Sequence, residues 1–383
     1  MKPTFLIIAT ALSLLAGCAS NTQPDTPPKE LHDFDASTRL DSTWSRDIGD
    51  GLGRARYPIT PARDSDTIYA ASADGQVVAV DAASGEHLWQ QDIDAGISSG
   101  VTAIAGQVYL GTRDGDVLAL DQDDGEEIWR SSVSSEVLAA PQANSTLLIV
   151  QSIDGNVTAL DRSNGNEAWV FSSSEPALTL RGTADPQVID QVSFIGLSNG
   201  RLATLDNRNG ELLWDMRIAT PQGRSEVERL VDIDAQPLLT QDGRLYVSSY
   251  NGRLVALEAT SGETLWEREQ SSYRTPLLVD DTLYSVDEHS HLVALDALSG
   301  RVLWRNDALE GRHVSAPAQA NGYLVVGDYD GYLHLLDTDS GDLAGRTRVN
   351  GSGISQRPLT NGSRIHALAN DGQLETFEIQ DVQ

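Results

Sequence analysis

The sequence has almost no cysteine and few basic residues, and both shortages restrict what the protein can be. Cys18 is the only cysteine among 383 residues, so no internal disulfide is possible and the fold depends on its core alone. Lys and Arg number 27 against 56 Asp and Glu, a net charge of −29, which excludes binding to nucleic acid phosphates. One explanation for this acidity is a salty habitat, because ionic strength screens the repulsion between like charges.

Long apolar runs are also missing, apart from one short run near the start of the chain. "FLIIATALSLL" follows Lys2 and is too short to span a bilayer, but it has the length of a signal-peptide core. It ends in "LAGC", the pattern of a bacterial lipoprotein signal in which the cysteine becomes the acylated N-terminus. We therefore predict a signal peptide over 1–17, a lipidated Cys18 with a flexible tether over 18–36, and one domain over 37–383. The alternatives are an ordinary secretory signal or a buried free thiol.

The residue after the cysteine indicates in which of the two bacterial membranes the lipoprotein is anchored. In lipoproteins of the enterobacterial type, an Asp directly after the lipidated cysteine favours retention in the inner membrane. This chain has Ala19 there, so we expect a lipid-anchored protein on the periplasmic face of the outer membrane of a Gram-negative bacterium. The polar, Pro-rich residues that follow are typical of a linker.

One phrase recurs through the rest of the chain, for example "DGDVLALDQDDGEEIW" at 114–129 and "NGRLVALEATSGETLW" at 251–266. The turns that open the phrases start at Asp74, Asp114, Asp154, Asn199, Asn251, His289, Asp330 and Asp371. A tryptophan stands 15 residues later at Trp89, Trp129, Trp169, Trp214, Trp266 and Trp304, whereas the seventh unit has Gly345. A period near 41 residues is the length of a four-stranded propeller blade.

The two ends of the chain complete each other. The eighth phrase, "DGQLETFEIQ", ends before its tryptophan, and "STWSRDIG" around Trp44 has no phrase before it. An N-terminal strand that completes the last unit closes the ring and removes its free edges. The predicted fold is therefore all-β, an eight-bladed β-propeller with four-stranded antiparallel blades.

Prolines and tryptophans mark opposite edges of each blade. Prolines recur about 13 residues before the turn, at Pro61, Pro141, Pro186, Pro237, Pro276, Pro317 and Pro358. Proline cannot donate to a strand ladder, so it marks an edge strand, here the innermost one. The tryptophans then lie on the outermost strands, where we expect them to pack between neighbouring blades rather than to bind a ligand.

Two connections between blades are longer than the others. The stretches 170–185 and 215–236 carry the extra residues, and they follow one another in the chain. In alternating four-stranded blades all such connections emerge on one face, so the two loops form one composite patch. Long loops of this kind often carry function.

The phrase resembles the repeat of pyrroloquinoline-quinone enzymes and their non-enzymatic relatives. The lipoprotein signal, the eight units, "LTLRG" (178–182) and "RLVDIDAQP" (229–237) narrow the resemblance to the BamB family of β-barrel assembly lipoproteins. This resemblance implies a non-catalytic scaffold without a cofactor. It also implies docking on the periplasmic POTRA domains of a BamA-type barrel subunit, indirect contact with other assembly lipoproteins, and help for nascent outer-membrane proteins.

The resemblance and the loop spacing indicate the same candidate partner-binding residues. Leu178 and Leu180 are expected to be apolar anchors, Arg181 to pair with a partner carboxylate, and Asp232 and Asp234 to pair with partner cations. A local alternative is that Arg181 bridges to Asp232 or Asp234 and holds the two loops together.

The second function considered is a periplasmic quinoprotein-like dehydrogenase or a ligand-binding sensor that uses the central channel. Such enzymes typically use calcium, a catalytic aspartate and often a vicinal disulfide, which Cys18 alone cannot form. The other motifs are better explained by structure: "GISSG" (96–100) precedes a strand, and "DTDSGD" (337–342) falls on a repeat turn. His289 and His291 replace an ordinary turn and lack a third ligand. No catalytic or metal site is therefore predicted.

Overall fold

The computed structural model of the protein describes residues 27–53, 57–174, 176, 178–180 and 182–382. These residues form 32 strands in eight four-stranded antiparallel sheets, and none of them lies in an α-helix. The predicted eight-bladed propeller is thus confirmed. None of the described residues belongs to a helix that is long and apolar enough to cross a membrane.

We number the strands β1–β32 along the chain and the blades 1–8 around the ring. The innermost strands of blades 1–8 are β2 (Ala62–Asp64), β6 (Thr102–Ile104), β10 (Gln142–Ala143), β14 (Gln187–Val188), β18 (Leu238–Leu239), β22 (Leu277–Val279), β26 (Ala318–Ala320) and β30 (Leu359–Asn361). The second strands are β3 (Thr67–Ala71), β7 (Gln107–Gly111), β11 (Leu147–Gln151), β15 (Val192–Gly196), β19 (Arg244–Ser248), β23 (Thr282–Val286), β27 (Tyr323–Gly327) and β31 (Arg364–Leu368).

The third strands are β4 (Gln76–Asp81), β8 (Asp116–Asp121), β12 (Asn156–Asp161), β16 (Arg201–Asp206), β20 (Arg253–Glu258), β24 (Leu292–Asp296), β28 (Tyr332–Asp337) and β32 (Gln373–Asp381). The outermost strands are β5 (His87–Asp92), β9 (Glu127–Ser132), β13 (Glu167–Ser172), β17 (Leu212–Arg217), β21 (Thr264–Glu269), β25 (Val302–Asn306), β29 (Leu343–Arg348) and, in blade 8, β1 (Thr38–Asp47). The second and third strands are almost fully buried, because blades cover both of their faces.

The ring closes between the two ends of the chain. β1 pairs with β32 in an antiparallel register that runs from Thr38 opposite Asp381 to Asp47 opposite Gln373. Blade 8 is therefore built from both termini, as the incomplete last phrase and the lone Trp44 predicted. Its remaining strands follow the order of every other blade.

The recurrent proline stands directly before the innermost strand rather than within it. Pro61 precedes Ala62 and Pro141 precedes Gln142, the first residues of β2 and β10. Since the proline stands outside the ladder, its missing N–H costs no strand pairing. The proline pattern located the inner strands correctly to within one residue.

The tryptophans connect each blade to the next, as predicted. Trp89 on β5 donates its indole N–H to the Gln122 carbonyl of blade 2 at 2.8 Å, and Trp129 does the same to Arg162 of blade 3. Each ring also lies against a glycine of the next blade's outer turn. The pairs are Trp44–Gly85, Trp89–Gly125, Trp129–Gly165, Trp169–Gly210, Trp214–Gly262, Trp266–Gly300 and Trp304–Gly341. Seven of the eight junctions therefore use one tryptophan each.

Strand direction sorts the connections between two faces of the ring. We call the face with all inter-blade connections and the Asp-Gly turns the loop face, and the opposite one the turn face. The Val133 N–H, after the end of β9, donates to the Gly115 carbonyl in the turn before β8 at 2.8 Å, which places both on the loop face. The two long connections thus emerge on the same face, as predicted.

Candidate functional site

The inter-blade connections surround a central cavity that opens on the loop face. It has a volume of about 610 Å³, within the range of small-molecule pockets, and its lining comes from connections around the whole ring. Leu180 and Asp234 from the two long loops both line it. The predicted patch therefore adjoins the mouth of the central channel.

Leu178 and Leu180 are the accessible members of the predicted site. Leu178 is 45% exposed and Leu180 is 36% exposed. Val227, in the other long loop, is 67% exposed. Leucines of the outer strands are exposed to a similar degree, so what distinguishes these three side chains is their position in the two long loops. Arg181 lies outside the described residues, as does Cys18.

The two aspartates lie deeper than the spacing argument suggested. Asp232 is only 1% exposed, and its backbone carbonyl accepts the Tyr250 N–H at 2.8 Å, which ties the second long loop to blade 5. Asp234 is partly buried in the cavity wall. The structure thus brings Leu180 and Asp234 to one cavity, while Asp232 is placed beneath the surface.

Gly182 and Asp234 are the point where the two long loops meet. A Cβ atom at Gly182 would overlap the carboxylate of Asp234. Only a glycine allows the first loop to approach that carboxylate so closely. The contact joins the connection into blade 4 to the connection into blade 5, so the two loops form one surface.

Burial changes the acidity of the groups around the cavity. Burial raises the pKa of Asp234 to about 7, although the charge of Arg274 opposes the rise. Burial likewise raises the pKa of Asp185 to about 6, against a hydrogen bond from the Ala140 N–H at 2.6 Å and the charge of Arg357. Two carboxyl groups of the cavity therefore titrate near neutral pH.

Two arginines, Arg274 and Arg357, also line the cavity. The guanidinium of Arg357 donates to the Thr275 carbonyl at 2.9 Å, and burial lowers its pKa to about 10. Arg274 donates to the Val314 carbonyl at 3.1 Å and stacks over the Tyr273 ring at 4.3 Å. These bonds connect blades 6, 7 and 8 around the axis, so they stabilise the ring as well as balance its buried acids.

A tyrosine crosses the channel. The Tyr57 hydroxyl accepts the Thr183 N–H at 3.1 Å and lies 3.4 Å from the Thr183 carbonyl. Burial raises the pKa of this phenol. Tyr57 belongs to the connection into blade 1 and Thr183 to the connection into blade 4, so the bond crosses the mouth of the channel.

The sequence interpretation missed these cavity residues, although a signal for them was present. Tyr57, Asp185 and Arg357 each directly precede a proline, and Arg274 stands two residues before Pro276. The residue before the inner-strand proline lines the cavity in most blades, so polar residues at this position are candidates for the channel wall. Tyr57 lies outside this pattern, because its proline is not the recurrent one. Among the described residues, no group of three or more His, Cys, Asp or Glu is placed to hold a metal ion.

Comparison with known proteins adds to this geometry. The family model described as "Outer membrane protein assembly factor BamB" matches residues 73–306 and 288–383. The chain is 48% identical to the outer membrane protein assembly factor BamB of Pseudomonas aeruginosa over 374 residues, which cover 98% of each chain.

Solved structures give the same result for the fold. The crystal structure of BamB from Moraxella catarrhalis aligns with a TM-score of 0.81 and 28% identity, covering 88% of this chain and 99% of that one. A quinohemoprotein alcohol dehydrogenase from Pseudomonas putida aligns with a TM-score of 0.68 and 15% identity, over 90% of this chain and 77% of that one. At that identity the second likeness concerns the fold alone.

Proposed function

The chain belongs to the BamB family of outer membrane protein assembly factors, and we propose its function from this membership. As a member it is an accessory factor of the outer-membrane β-barrel assembly complex, which contains a BamA-type barrel subunit. We propose that it is a non-catalytic scaffold that docks on the periplasmic POTRA domains of that subunit and assists the insertion of outer-membrane proteins. The match over nearly the whole chain, rather than any one motif, carries this conclusion.

The docking surface that we propose is the patch formed by the two long loops. Leu178 and Leu180 provide exposed apolar surface, and Arg181, Asp232 and Asp234 are its proposed charged residues. The burial of Asp232 and the contact of Asp234 with Gly182 support a division of labour. In this division the leucines and Arg181 contact the partner, while the aspartates hold the loops in place. A rigid presentation of few anchors is how interface hot spots act.

Binding of a variant at Arg181 tests the patch. Removing one partner of a desolvated charge pair costs about 2–5 kcal/mol, which lowers affinity about 30-fold or more. Arg181→Glu should therefore lose binding to the purified periplasmic domains of the barrel subunit, while its circular dichroism and melting temperature stay near wild type. Gln222→Ala, in the exposed part of the second loop, is the matched control and should bind normally.

Two results would contradict the assignment in different ways. Normal binding by Arg181→Glu would mean that the patch lies elsewhere. Loss of binding together with a lower melting temperature would show that Arg181 holds the loops together instead of contacting the partner.

We further propose that the chain is held at the periplasmic face of the outer membrane by a lipid on Cys18. We keep the division into a signal peptide (1–17), a tether (18–36) and the propeller (37–383) as part of this proposal. Cys18→Ala should abolish acyl labelling and release the protein from the outer-membrane fraction. Unchanged labelling of this variant would overturn the anchor.

A further inference from the structure

Residues 29–37, the end of the proposed tether and the first residue of the propeller domain, lie along the outside of blade 7. The Ser37 N–H donates to the Ala344 carbonyl at 2.9 Å, at the turn-face end of β29. Arg346, midway along β29, donates to the His32 carbonyl at 3.2 Å and stacks over the Phe34 ring at 5.3 Å. We call residues 29–37 the clamp.

The loop-face end of the clamp is held by the connection between blades 6 and 7. The Lys29 N–H donates to the Glu310 carbonyl at 2.9 Å, and its ammonium lies 3.2 Å from the Asp307 carboxylate and 3.1 Å from that of Glu310. Hydrogen bonds from Lys29 hold the pKa of both carboxyl groups below their ordinary values. Leu31 packs on the apolar cluster that contains Leu309.

A buried group completes this attachment. Arg312 is only 3% exposed, and it donates to the Lys29 carbonyl at 3.1 Å. The same guanidinium bonds the buried Asp328 at 2.8 Å and Asp330 at 2.9 Å. Because Arg312 is fixed on three sides, the Lys29 carbonyl meets a rigid donor of the ring rather than a mobile surface side chain.

The closure of the ring explains why the seventh unit has no tryptophan. Gly345 pairs with Leu335 in the register where Trp304 pairs with Ala294 one blade earlier. Blade 8 is made from the two chain ends, so it offers no turn for a tryptophan of blade 7 to bond. A Cβ at Gly345 would approach the Thr38 hydroxyl to 2.6 Å, so the first residue of β1 occupies the space instead.

The course of the clamp changes where the tether leaves the ring. β1 starts at the turn face, and a free segment would leave from there. The clamp carries the chain back along blade 7 to Lys29 on the loop face. Between Cys18 and Lys29 there are 11 steps along the chain, a reach of at most about 40 Å, compared with at most about 68 Å for the 19 steps to Ser37.

We infer that the clamp fixes the exit of the lipid tether at the loop face of blade 7, so that the face carrying the docking loops is turned toward the lipid surface. This inference rests on the proposed lipid anchor at Cys18. It assigns the loop face two roles, contact with the barrel subunit and proximity to the membrane. A partner embedded in that membrane would meet the patch from the same side.

Hydrogen exchange on the full-length lipoprotein in detergent tests the clamp itself. The amide of Lys29 should be protected, and the double change Lys29→Glu with Leu31→Asp should raise the exchange of residues 29–34 several-fold while the blades stay protected. Glu30→Lys is a control at an exposed neighbour: it changes the charge by two units, as Lys29→Glu does but with the opposite sign, and it should leave the exchange unaltered. Unprotected amides in the wild type would overturn the clamp, whatever the state of the anchor.

Labelled cysteines on liposome-bound protein test the orientation. With Cys18 acylated, Gly351→Cys on the loop face or Asp339→Cys on the turn face supplies the only free thiol. Both positions are exposed, in or beside blade 7. A quencher on lipid headgroups should quench a fluorophore at 351 more than one at 339, and the double change should shrink this difference. Equal quenching at both positions in protein that floats with the liposomes would overturn the orientation. Failure to float would instead contradict the anchor of the proposed function.

Discussion

Tyr57 and Thr183 belong to blades three places apart, yet the Tyr57 hydroxyl accepts the Thr183 N–H at 3.1 Å across the mouth of the central channel. Thr183 directly follows Gly182, where the two long loops meet. The entry into blade 1 therefore supports the proposed docking patch from the opposite side of the axis.

We predict that Tyr57→Phe loosens the patch without opening the ring. The change leaves the buried Thr183 N–H without its acceptor, which costs about 1–3 kcal/mol. Amide exchange at residues 182–185 should rise, and urea should unfold the variant at a lower concentration. Tyr329→Phe, at a tyrosine that is 40% exposed, is the control. Equal effects of the two changes would show that the hydrogen bond of the Tyr57 hydroxyl does not stabilise the patch.

Leu180→Asp should weaken binding to the barrel subunit by about 10-fold or more. The reason is that burying a leucine in an interface contributes about 1.5–3 kcal/mol, which a carboxylate forfeits. Leu265→Asp is a matched control, because Leu265 is similarly exposed, at 47%, but lies on the outer strand of blade 5. Titration with the periplasmic domains gives both affinities. A loss at Leu265 as large as that at Leu180 would place the interface on the rim of the ring.

Asp234 should make stability depend on pH in a direction unusual for a carboxylate. Its pKa is raised from 3.8 to about 7, so its contribution to stability is present below about pH 4 and is lost as the pH rises to about 7. Relative to wild type, Asp234→Asn should gain up to about 1.4 kcal/mol of unfolding free energy per pH unit across that window.

The difference in unfolding free energy between Asp234→Asn and wild type isolates the titration of Asp234 from that of the other ionisable groups, which both proteins share. Asp185 affects stability in the same direction, because burial raises its pKa, and the buried His366 affects it in the opposite direction, because burial lowers its pKa. Urea unfolding at several pH values supplies the curves. Parallel curves for the two proteins would mean that Asp234 is ionised throughout.

The glycine under each tryptophan should be required for blade packing. Gly125 has a φ of +76°, and a Cβ there would meet the Trp89 ring at 2.6 Å, whereas Gly106 has a φ of +83° with nothing within 4 Å. Gly125→Ala and Gly106→Ala thus share the backbone strain and differ in the clash. We expect Gly125→Ala to lower the unfolding free energy by about 1–3 kcal/mol more than Gly106→Ala does, as measured by urea unfolding. Equal losses of unfolding free energy in the two variants would mean that Gly125 is required only for the turn conformation and not for contact with Trp89.

The net charge of −29 predicts a salt-dependent stability. Screening shortens the range of like-charge repulsion from about 10 Å at 0.1 M to about 3 Å at 1 M. The melting temperature should therefore rise from low to molar sodium chloride. Potassium chloride should act equally, since screening depends on ionic strength. A flat melting temperature would leave the acidity without this explanation.

Much of the ring could be predicted from the repeat, because the strands and turns of each unit are indicated by residues within that unit. Asp-Gly or Asn-Gly turns, alternating apolar strands and a tryptophan at a constant distance place three strands of most blades, and the proline places the fourth. The long loops also showed in the sequence as breaks in a constant spacing. Their surface residues Leu178 and Leu180 stayed exposed, whereas the burial of Asp232 depends on Tyr250, a residue of another loop.

The sequence by itself determined the number of blades and the order of their strands, because these features repeat and depend on neighbours along the chain. It also determined the closure by Trp44, because the incomplete eighth phrase lacks the strand that the N-terminal segment supplies. Only the tertiary structure decided what lies on the axis and on the rim. Tyr57 reaches Thr183, and Lys29 reaches Glu310, across 126 and 281 residues of chain. No periodic signal reports contacts between such distant residues, because each occurs once and its partner is set by the closing of the ring.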